Sequence, residues 1–131
     1  MTTDTPERIV RRFVDAFNAA DLPAINECFA EDLLSDVTQA DGSTALVKGR
    51  AAYMASIEAL DIPSVRPTIT VTQLAPITDT QVMVMIEVKA QRKGRSLHNF
   101  AAFLMTITHG TISRMWMVEA LPAESDSFWN D

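Results

Sequence analysis

Three polar residues lie in otherwise apolar segments and could carry acid–base chemistry: Glu119, Asn99 and Asp36. A carboxyl group on an apolar sheet face is partly desolvated, so its pKa rises toward the range that suits a general acid or base. An asparagine beside it can fix its orientation or donate to a substrate oxygen. We therefore predict these three as catalytic residues. The alternative for Glu119, which ends a strand, is a solvated carboxylate or an anchor for the C-terminal tail.

Other reactive side chains fit structural roles better. Cys28 is the only cysteine and lies on the buried side of a short helix, with no histidine nearby in sequence. His98 is expected on the sheet face opposite Asn99, although a slipped register would make it the first catalytic candidate. His109 lies in a turn. No metal-ligand spacing, glycine-rich phosphate loop or nucleotide fingerprint occurs, so we expect neither a metal nor another cofactor.

Length and charge limit the class of protein. The 131 residues suit one domain spanning 1–131, and a net charge of −6 disfavours nucleic acid as a partner. The basic cluster at residues 92–95 is interpreted as a solvated hairpin turn. No apolar run is long enough to span a bilayer, so we expect no membrane partner. The first residues lack a signal-peptide pattern, and a cytoplasmic location is expected.

The elements that must position these residues follow from hydrophobic periodicity. Thr5-Pro6 and Asp21 with Pro23 predict two helix starts, and Gly49-Arg50 predicts a third. Period-two alternation predicts strands near 69–72 and over 82–91, 96–107 and 111–120, followed by an irregular tail. The chain is therefore predicted to be α+β, with N-terminal helices packed on a mainly antiparallel sheet.

The turns between strands set the register. Lys93-Gly94 predicts a two-residue turn that places Val88 opposite Asn99. A three-residue turn at 108–110 then places Asn99 opposite Glu119 and Phe103 opposite Met115. A two-residue turn there would instead move the last strand's side chains to the other face.

Asp36 belongs to a further short strand, residues 33–38. If Leu33 points inward, alternation places Ser35 and Val37 inward and Asp36 outside. A bulge would reverse this assignment.

The predicted sheet is apolar on both faces, and three short helices can cover only one. The uncovered face marks an interaction surface, and we predict a homodimer through Met83, Met85, Phe100, Leu104, Trp116 and Val118. The covered face is predicted to bind a hydrophobic small molecule through Val84, Phe103, Met115 and Met117, together with Phe13, Phe17 and Tyr53 from the helices and Trp129 from the tail. Tyr53 could point its hydroxyl group into the cavity or equally pack its ring under the sheet.

Three segments carry a family resemblance: CFAED at 28–32, KGRAA at 48–52 and WMVEALPAESDSFW at 116–129. They resemble the nuclear transport factor 2-like superfamily, in particular its SnoaL-like and ketosteroid isomerase-like members. The resemblance implies a strongly curved sheet wrapped over three helices as a cone-shaped half-barrel, a ligand cavity inside it, and dimerisation through the sheet.

The catalytic residues typical of ketosteroid isomerases do not match the residues at the corresponding positions of this sequence. The oxyanion tyrosine falls on Phe13, the protonated aspartic acid on Phe103, and the base on Val37 or nearer Ala40. An enolate would lack both expected donors, which argues against the usual steroid isomerase.

Two functions remain open from the sequence. The first is a cofactor-free isomerase, cyclase or lyase that acts on an apolar ring compound. The second is a non-catalytic ligand-binding or assembly module, including a subunit of a heteromeric complex. That alternative predicts a cavity sealed by Phe13, Phe17, Phe103 and Trp129.

Overall fold

The computed structural model describes residues 5–130 of the chain. Residues 1–4, on which the absence of a signal peptide was judged, lie outside this range. The elements in chain order are α1 (Pro6–Asn18), α2 (Leu22–Glu27), β1 (Phe29–Thr38), β2 (Thr44–Lys48), α3 (Arg50–Glu58), α4 (Ile62–Val65), β3 (Thr68–Pro76), β4 (Gln81–Arg92), β5 (Arg95–Thr108), β6 (Thr111–Glu119) and α5 (Pro122–Asn130).

The first two helices begin where their capping residues predict. The hydroxyl of Thr5 accepts a hydrogen bond from the backbone N–H of Arg8 at 3.3 Å, and Asp21 accepts one from Ala24 at 3.1 Å. A proline occupies the first turn of each helix, where its missing N–H is not needed. The apolar stripe of α1 is buried against the sheet through Ile9, Val10, Phe13, Val14 and Phe17.

The strands form one open, mixed sheet in the order β2-β1-β6-β5-β4-β3. The β1–β6 pair is parallel and the other pairs are antiparallel. The α+β class predicted from the sequence is confirmed. Because β1 lies beside β6, the last strand in the chain, residues from both halves of the chain form one hydrophobic core.

The β4–β5 hairpin has the predicted register. Arg92 pairs with Arg95 across a two-residue turn in which Lys93 and Gly94 both have positive φ, 52° and 75°. Such a turn matches the twist of the flanking strands. Asn99 consequently lies opposite Val88 on the inner face.

The β5–β6 hairpin differs from the prediction. Its turn has two residues, since Thr108 pairs with Thr111, and the predicted three-residue turn is wrong. A bulge at Ser113 then adds one residue to β6. The shorter turn alone, or the bulge alone, would move each side chain of β6 to the opposite face of the sheet. Because both occur, the side chains beyond the bulge lie on the predicted faces. Phe103 therefore pairs with Met117 rather than Met115, and Glu119 pairs with Ala101 rather than Asn99.

Three elements were absent from the sequence prediction: β2, α4 and α5. The tail predicted to be irregular forms α5, with Pro122 at its start. Two arginines of the β4–β5 hairpin hold the end of this helix. Arg92 donates to the carbonyl of Phe128 at 2.8 Å, and Arg95 donates to that of Ser127 at 3.2 Å. Cations at the C-terminus of a helix also interact favourably with its dipole.

The two faces of the sheet have the predicted orientation. Inner side chains such as Val84, Phe103 and Met105 are buried. The outer face is exposed in the single chain, with Val118 at 66% and Met85 at 47% of their full exposure. Together with Met83, Phe100, Trp116 and the half-buried Leu104, these residues are called the outer apolar face below.

Candidate functional site

A cavity of about 310 Å³ lies between α1, α3, α5 and the inner face of the sheet. This volume is at the lower end of the range for small-molecule sites, which are mostly apolar with few polar groups. The residues that line it are Phe13, Val14, Phe17, Val37, Val47, Tyr53, Ser56, Ile57, Leu60, Pro67, Ile69, Val84, Ile86, Val88, Leu97, Asn99, Ala101, Phe103, Met105, Met117, Glu119, Ser125 and Trp129.

Most residues predicted for the site are brought together here. Two are not: Met115 and Asp36. Met115 is fully buried, and its strand partner Met105 lines the cavity instead. Ser125 was missed, because no property of the tail sequence indicated that it forms a helix over the cavity.

Asn99 and Glu119 form a hydrogen-bonded pair in the cavity wall. The side-chain nitrogen of Asn99 donates to Oε1 of Glu119 at 2.9 Å. The oxygen of Asn99 accepts from the backbone N–H groups of Phe100 and Leu121, at 2.8 and 2.9 Å. These two contacts fix the orientation of the amide, so its N–H must face the carboxyl group. The sequence predicted that Asn99 and Glu119 lie directly opposite each other on neighbouring strands. Glu119 instead lies opposite Ala101, two residues from Asn99, so the hydrogen bond runs diagonally between the strands.

Burial raises the pKa of Glu119 above its ordinary value. Desolvation is the main cause, and hydrogen bonds from Ser125 and Asn99 oppose it. Glu119 is also the only carboxyl group among the described residues that line the cavity. A carboxyl group in such an environment can exchange protons with a bound molecule at a pH closer to neutral than an exposed glutamate can.

We expect Glu119→Gln to stabilise the fold at pH 7. Because the folded-state pKa is raised, the contribution of Glu119 to stability is present below its ordinary pKa of 4.5 and is lost as pH rises through the folded-state pKa. Thermal unfolding at pH 7 and pH 4 measures the effect, and the stabilisation should shrink at pH 4. A variant that melts below the wild type at pH 7 would contradict the prediction. Glu124→Gln, at an exposed position on α5, is the control.

Tyr53 is the second polar group of the wall. Its ring packs edge-on against Phe29, with centroids 5.1 Å apart. No described residue forms a hydrogen bond with its hydroxyl group, whereas the neighbouring hydroxyl of Ser56 donates to the backbone carbonyl of Tyr53 at 2.6 Å. Desolvation raises the pKa of Tyr53 to about 12, so the phenol is a hydrogen-bond donor throughout the physiological range.

The titration of Tyr53 can be measured directly, because it is the only tyrosine in the chain. We expect tyrosinate absorbance to rise with a midpoint near 12 instead of the ordinary 10. Circular dichroism should show that the protein stays folded over the lower part of this range, and Tyr53→Phe should lack the transition. A midpoint near 10 in the folded protein would show that the phenol is exposed to water.

Asp36 lies on the outer face of the sheet. Alternation along β1 places Ser35 and Val37 inward, as predicted for the case without a bulge, and Val37 lines the cavity. The carboxyl group of Asp36 forms an ion pair with Arg114, whose guanidinium lies 4.4 Å from the ring centroid of Trp116. The structure therefore does not bring Asp36 to Glu119.

The positions that correspond to the two isomerase donors, and one of the two possible positions of its base, face the cavity but are apolar. Phe13, Phe103 and Val37 line it. His98 lies on the outer side as predicted, where its Nε2 is 2.6 Å from Glu87 and its ring contacts Phe100. Glu119, Asn99 and Tyr53, with the hydroxyl groups of Ser56 and Ser125, are thus the polar side chains that line the cavity.

Cys28 and possible metal ligands add no second reaction centre within residues 5–130. The thiol of Cys28 is buried, its pKa is raised by desolvation, and it contacts the carbonyl of Ala24 at 3.4 Å. In this range no three His, Cys, Asp or Glu side chains cluster as a metal site requires. None of the described helices combines the length and hydrophobicity needed to cross a bilayer.

Comparison with sequences of known families gives one match over most of the chain. Residues 10–115 match the model of the SnoaL-like domain. The uncharacterized protein Rv0034 of Mycobacterium tuberculosis is 30% identical over 130 residues, which cover 98% of this chain and 99% of the relative.

Solved structures share the fold at low identity. Bal32a, from a soil-derived mobile gene cassette, superposes with a TM-score of 0.82 at 20% identity, over 95% of this chain and 96% of its own. RV0760c of Mycobacterium tuberculosis, in complex with estradiol-17β-hemisuccinate, gives 0.73 at 19% identity, over 87% and 93%. A candidate polyketide cyclase of Pseudomonas putida gives 0.72 at 18% identity, over 96% and 99%.

Proposed function

The chain belongs to the SnoaL-like family, and from that premise we propose that it binds a hydrophobic ring compound in its cavity and acts on it by acid–base chemistry. The reaction class is a cofactor-free isomerisation, cyclisation or elimination. The observation that supports this most is a single carboxyl group with a raised pKa, held by a fixed amide, in the wall of an apolar cavity.

In the proposed reaction Glu119 removes a proton from a carbon next to a carbonyl group. The C–H electron pair moves into the carbonyl to give an enolate, and Glu119 becomes neutral. Return of the proton at another carbon completes an isomerisation. In a cyclisation the enolate carbon attacks a second carbonyl group instead, and the alkoxide that forms takes the proton back from Glu119. Asn99 keeps Glu119 in one orientation through both proton transfers, since its own oxygen is held by Phe100 and Leu121.

Two of the structural neighbours agree with a ring compound as ligand. RV0760c holds a steroid derivative, and the Pseudomonas putida protein is a candidate polyketide cyclase. The 23 lining residues of this chain include seven aromatic or methionine side chains: Phe13, Phe17, Tyr53, Phe103, Met105, Met117 and Trp129. Such side chains adapt to flat, apolar ligands.

A non-catalytic binding module is the second candidate. The apolar residues Phe13 and Phe103 at the positions of the two isomerase donors favour it, as does Val37 at a possible position of the base. In that case Glu119 and Asn99 serve to hold α5, through Ser125 and Leu121, and the cavity carries a ligand without changing it. Binding without turnover separates this candidate from the first.

We also propose that the chain forms a homodimer through the outer apolar face. Its exposed side chains span three adjacent strands, because Met85 is aligned with Ala102 and Ala102 with Val118. Contiguous apolar surface of this kind is uncommon on monomers and marks an interaction site. A two-fold pairing of identical faces is the simplest way to cover it.

Ligand binding is tested with 2-tetralone, a neutral bicyclic ketone with an acidic C–H group. Calorimetry should detect saturable binding to the wild type and its loss in Ala101→Phe, which fills the cavity beside Glu119. Ala75→Phe makes the same change at an exposed position on β3 and should bind normally. Equal binding by all three proteins would place the ligand outside the cavity and overturn the proposal.

A further inference from the structure

We propose that Tyr53 donates a hydrogen bond to an acceptor oxygen of the ligand, and that the site therefore selects neutral, oxygen-bearing ring compounds and rejects anions. This inference rests on the proposed function, because it concerns the ligand of the same cavity. It assigns Tyr53, on α3, as a specificity-determining residue, whereas Glu119 belongs to β6.

The first observation is the missing partner of the phenol. Tyr53 is buried and lines the cavity, yet its hydroxyl group makes no hydrogen bond with any residue between 5 and 130. This hydroxyl group is not sealed among side chains, since the fully enclosed unpaired side-chain polar atoms of the described residues do not include it, and it therefore has room for a partner. The neighbouring Ser56, in contrast, is paired within α3. A molecule in the cavity, whether water or a ligand, can therefore accept the hydrogen bond of Tyr53.

The second observation is where Tyr53 lies relative to Glu119. Tyr53 packs on Phe29, which is aligned with Ile112 near the start of β6, whereas Glu119 ends that strand. The phenol and the carboxyl group are therefore polar groups of one cavity wall that come from different elements, α3 and β6.

The third observation is the charge of the lining. Among the described residues that line the cavity there is no lysine, arginine or histidine, and Glu119 is the only group that can carry a charge near neutral pH. A carboxylate or phosphate on the ligand would be buried without a cation, which is strongly unfavourable. The phenol of Tyr53 can satisfy a neutral ether, ketone or ester oxygen.

Three synthetic probes test the inference by calorimetry. They are 6-methoxy-2-tetralone, 6-ethyl-2-tetralone, in which a CH₂ group replaces the ether oxygen, and 6-carboxy-2-tetralone. We expect the wild type to bind the methoxy probe about three to ten times more tightly than the ethyl probe. In Tyr53→Phe this ratio should fall to about one, with the affinity for the ethyl probe unchanged. The carboxylate should bind at least about tenfold more weakly than the methoxy probe to both proteins.

A second measurement reports on the phenol itself. Because the chain has one tyrosine, the Cζ resonance of labelled Tyr53 is assigned without ambiguity. It should shift when the methoxy probe binds and stay nearly constant with the ethyl probe. Tyr53→Phe removes only an oxygen that forms no hydrogen bond with a described residue, so the variant is expected to fold as the wild type does.

The outcomes separate the two proposals. Failure of all three probes to bind overturns the proposed function and this inference with it. Binding with a methoxy preference that survives in Tyr53→Phe overturns the role of Tyr53 and leaves the cavity proposal standing. Equal affinity for the carboxylate overturns the selection of neutral ligands.

Discussion

Replacing Glu119 by glutamine is expected to slow the catalysed exchange of deuterium into the acidic C–H group of 2-tetralone by about 10²- to 10⁴-fold, the usual contribution of a general base. Glutamine has the same shape and can still accept the hydrogen bond that Asn99 donates. It cannot take up a proton from carbon. The affinity for 2-tetralone should change little, so the loss falls on the rate of the chemical step.

Nuclear magnetic resonance in D₂O follows this exchange, with Glu124→Gln on α5 as the matched control that removes a glutamate outside the cavity. The wild-type rate should fall as pH decreases through the pKa of Glu119, because only the ionised form accepts a proton. Since that pKa is raised, the midpoint should lie above the ordinary 4.5. Unchanged exchange in Glu119→Gln would remove Glu119 from the mechanism. Tight binding with no exchange in the wild type would favour the non-catalytic candidate.

The second large effect is expected at the outer apolar face. Introducing glutamate at both Met85 and Val118 should convert a dimer to a monomer, with the dissociation constant raised roughly a thousandfold or more. Both side chains are exposed in the single chain, so the substitutions leave its core intact. In the proposed dimer they would bury unpaired carboxylates in each subunit, on a chain whose net charge is already −6.

Sedimentation or light scattering measures the molecular mass in solution and so distinguishes the dimer from the monomer. Ile77→Glu is the matched control, because Ile77 is an exposed apolar residue in the β3–β4 turn, outside the outer apolar face. It should leave the dimer unchanged. A wild type that is monomeric at all concentrations would contradict the proposal, and a double variant that remains dimeric would place the interface elsewhere.

The sheet could be predicted from the sequence because alternation and turn chemistry are local. The β4–β5 register follows from Lys93-Gly94 alone and is confirmed. The β5–β6 register could not be derived the same way, since the bulge at Ser113 has no clear signature in the sequence. Glu119 was nevertheless placed on the correct face, because the error in the turn and the missing bulge together shift the register by an even number of residues.

The tail shows what local patterns leave out. Residues 122–130 carry no strong amphipathic pattern, and their helix is held by Arg92 and Arg95 from a distant hairpin. Ser125, which contacts Glu119, could therefore not be found from sequence. Tyr53 was predicted to face the cavity or to pack under the sheet, with no preference. Its unpaired hydroxyl is visible only once the surrounding side chains are in place.

The bulge in β6 also limits how the length of this part of the chain can vary in evolution or in engineering. If Ser113 were deleted, Ile112 and Arg114 would still pair with Ile107 and Thr106. The residues beyond Arg114 would then keep their present alternation between the inner and outer faces of the sheet. Inserting one residue between Met115 and Glu119 would instead turn the carboxyl group away from the interior, unless another bulge formed. The strand therefore contains one residue that it can lose, and beyond that residue it tolerates changes in length only in steps of two.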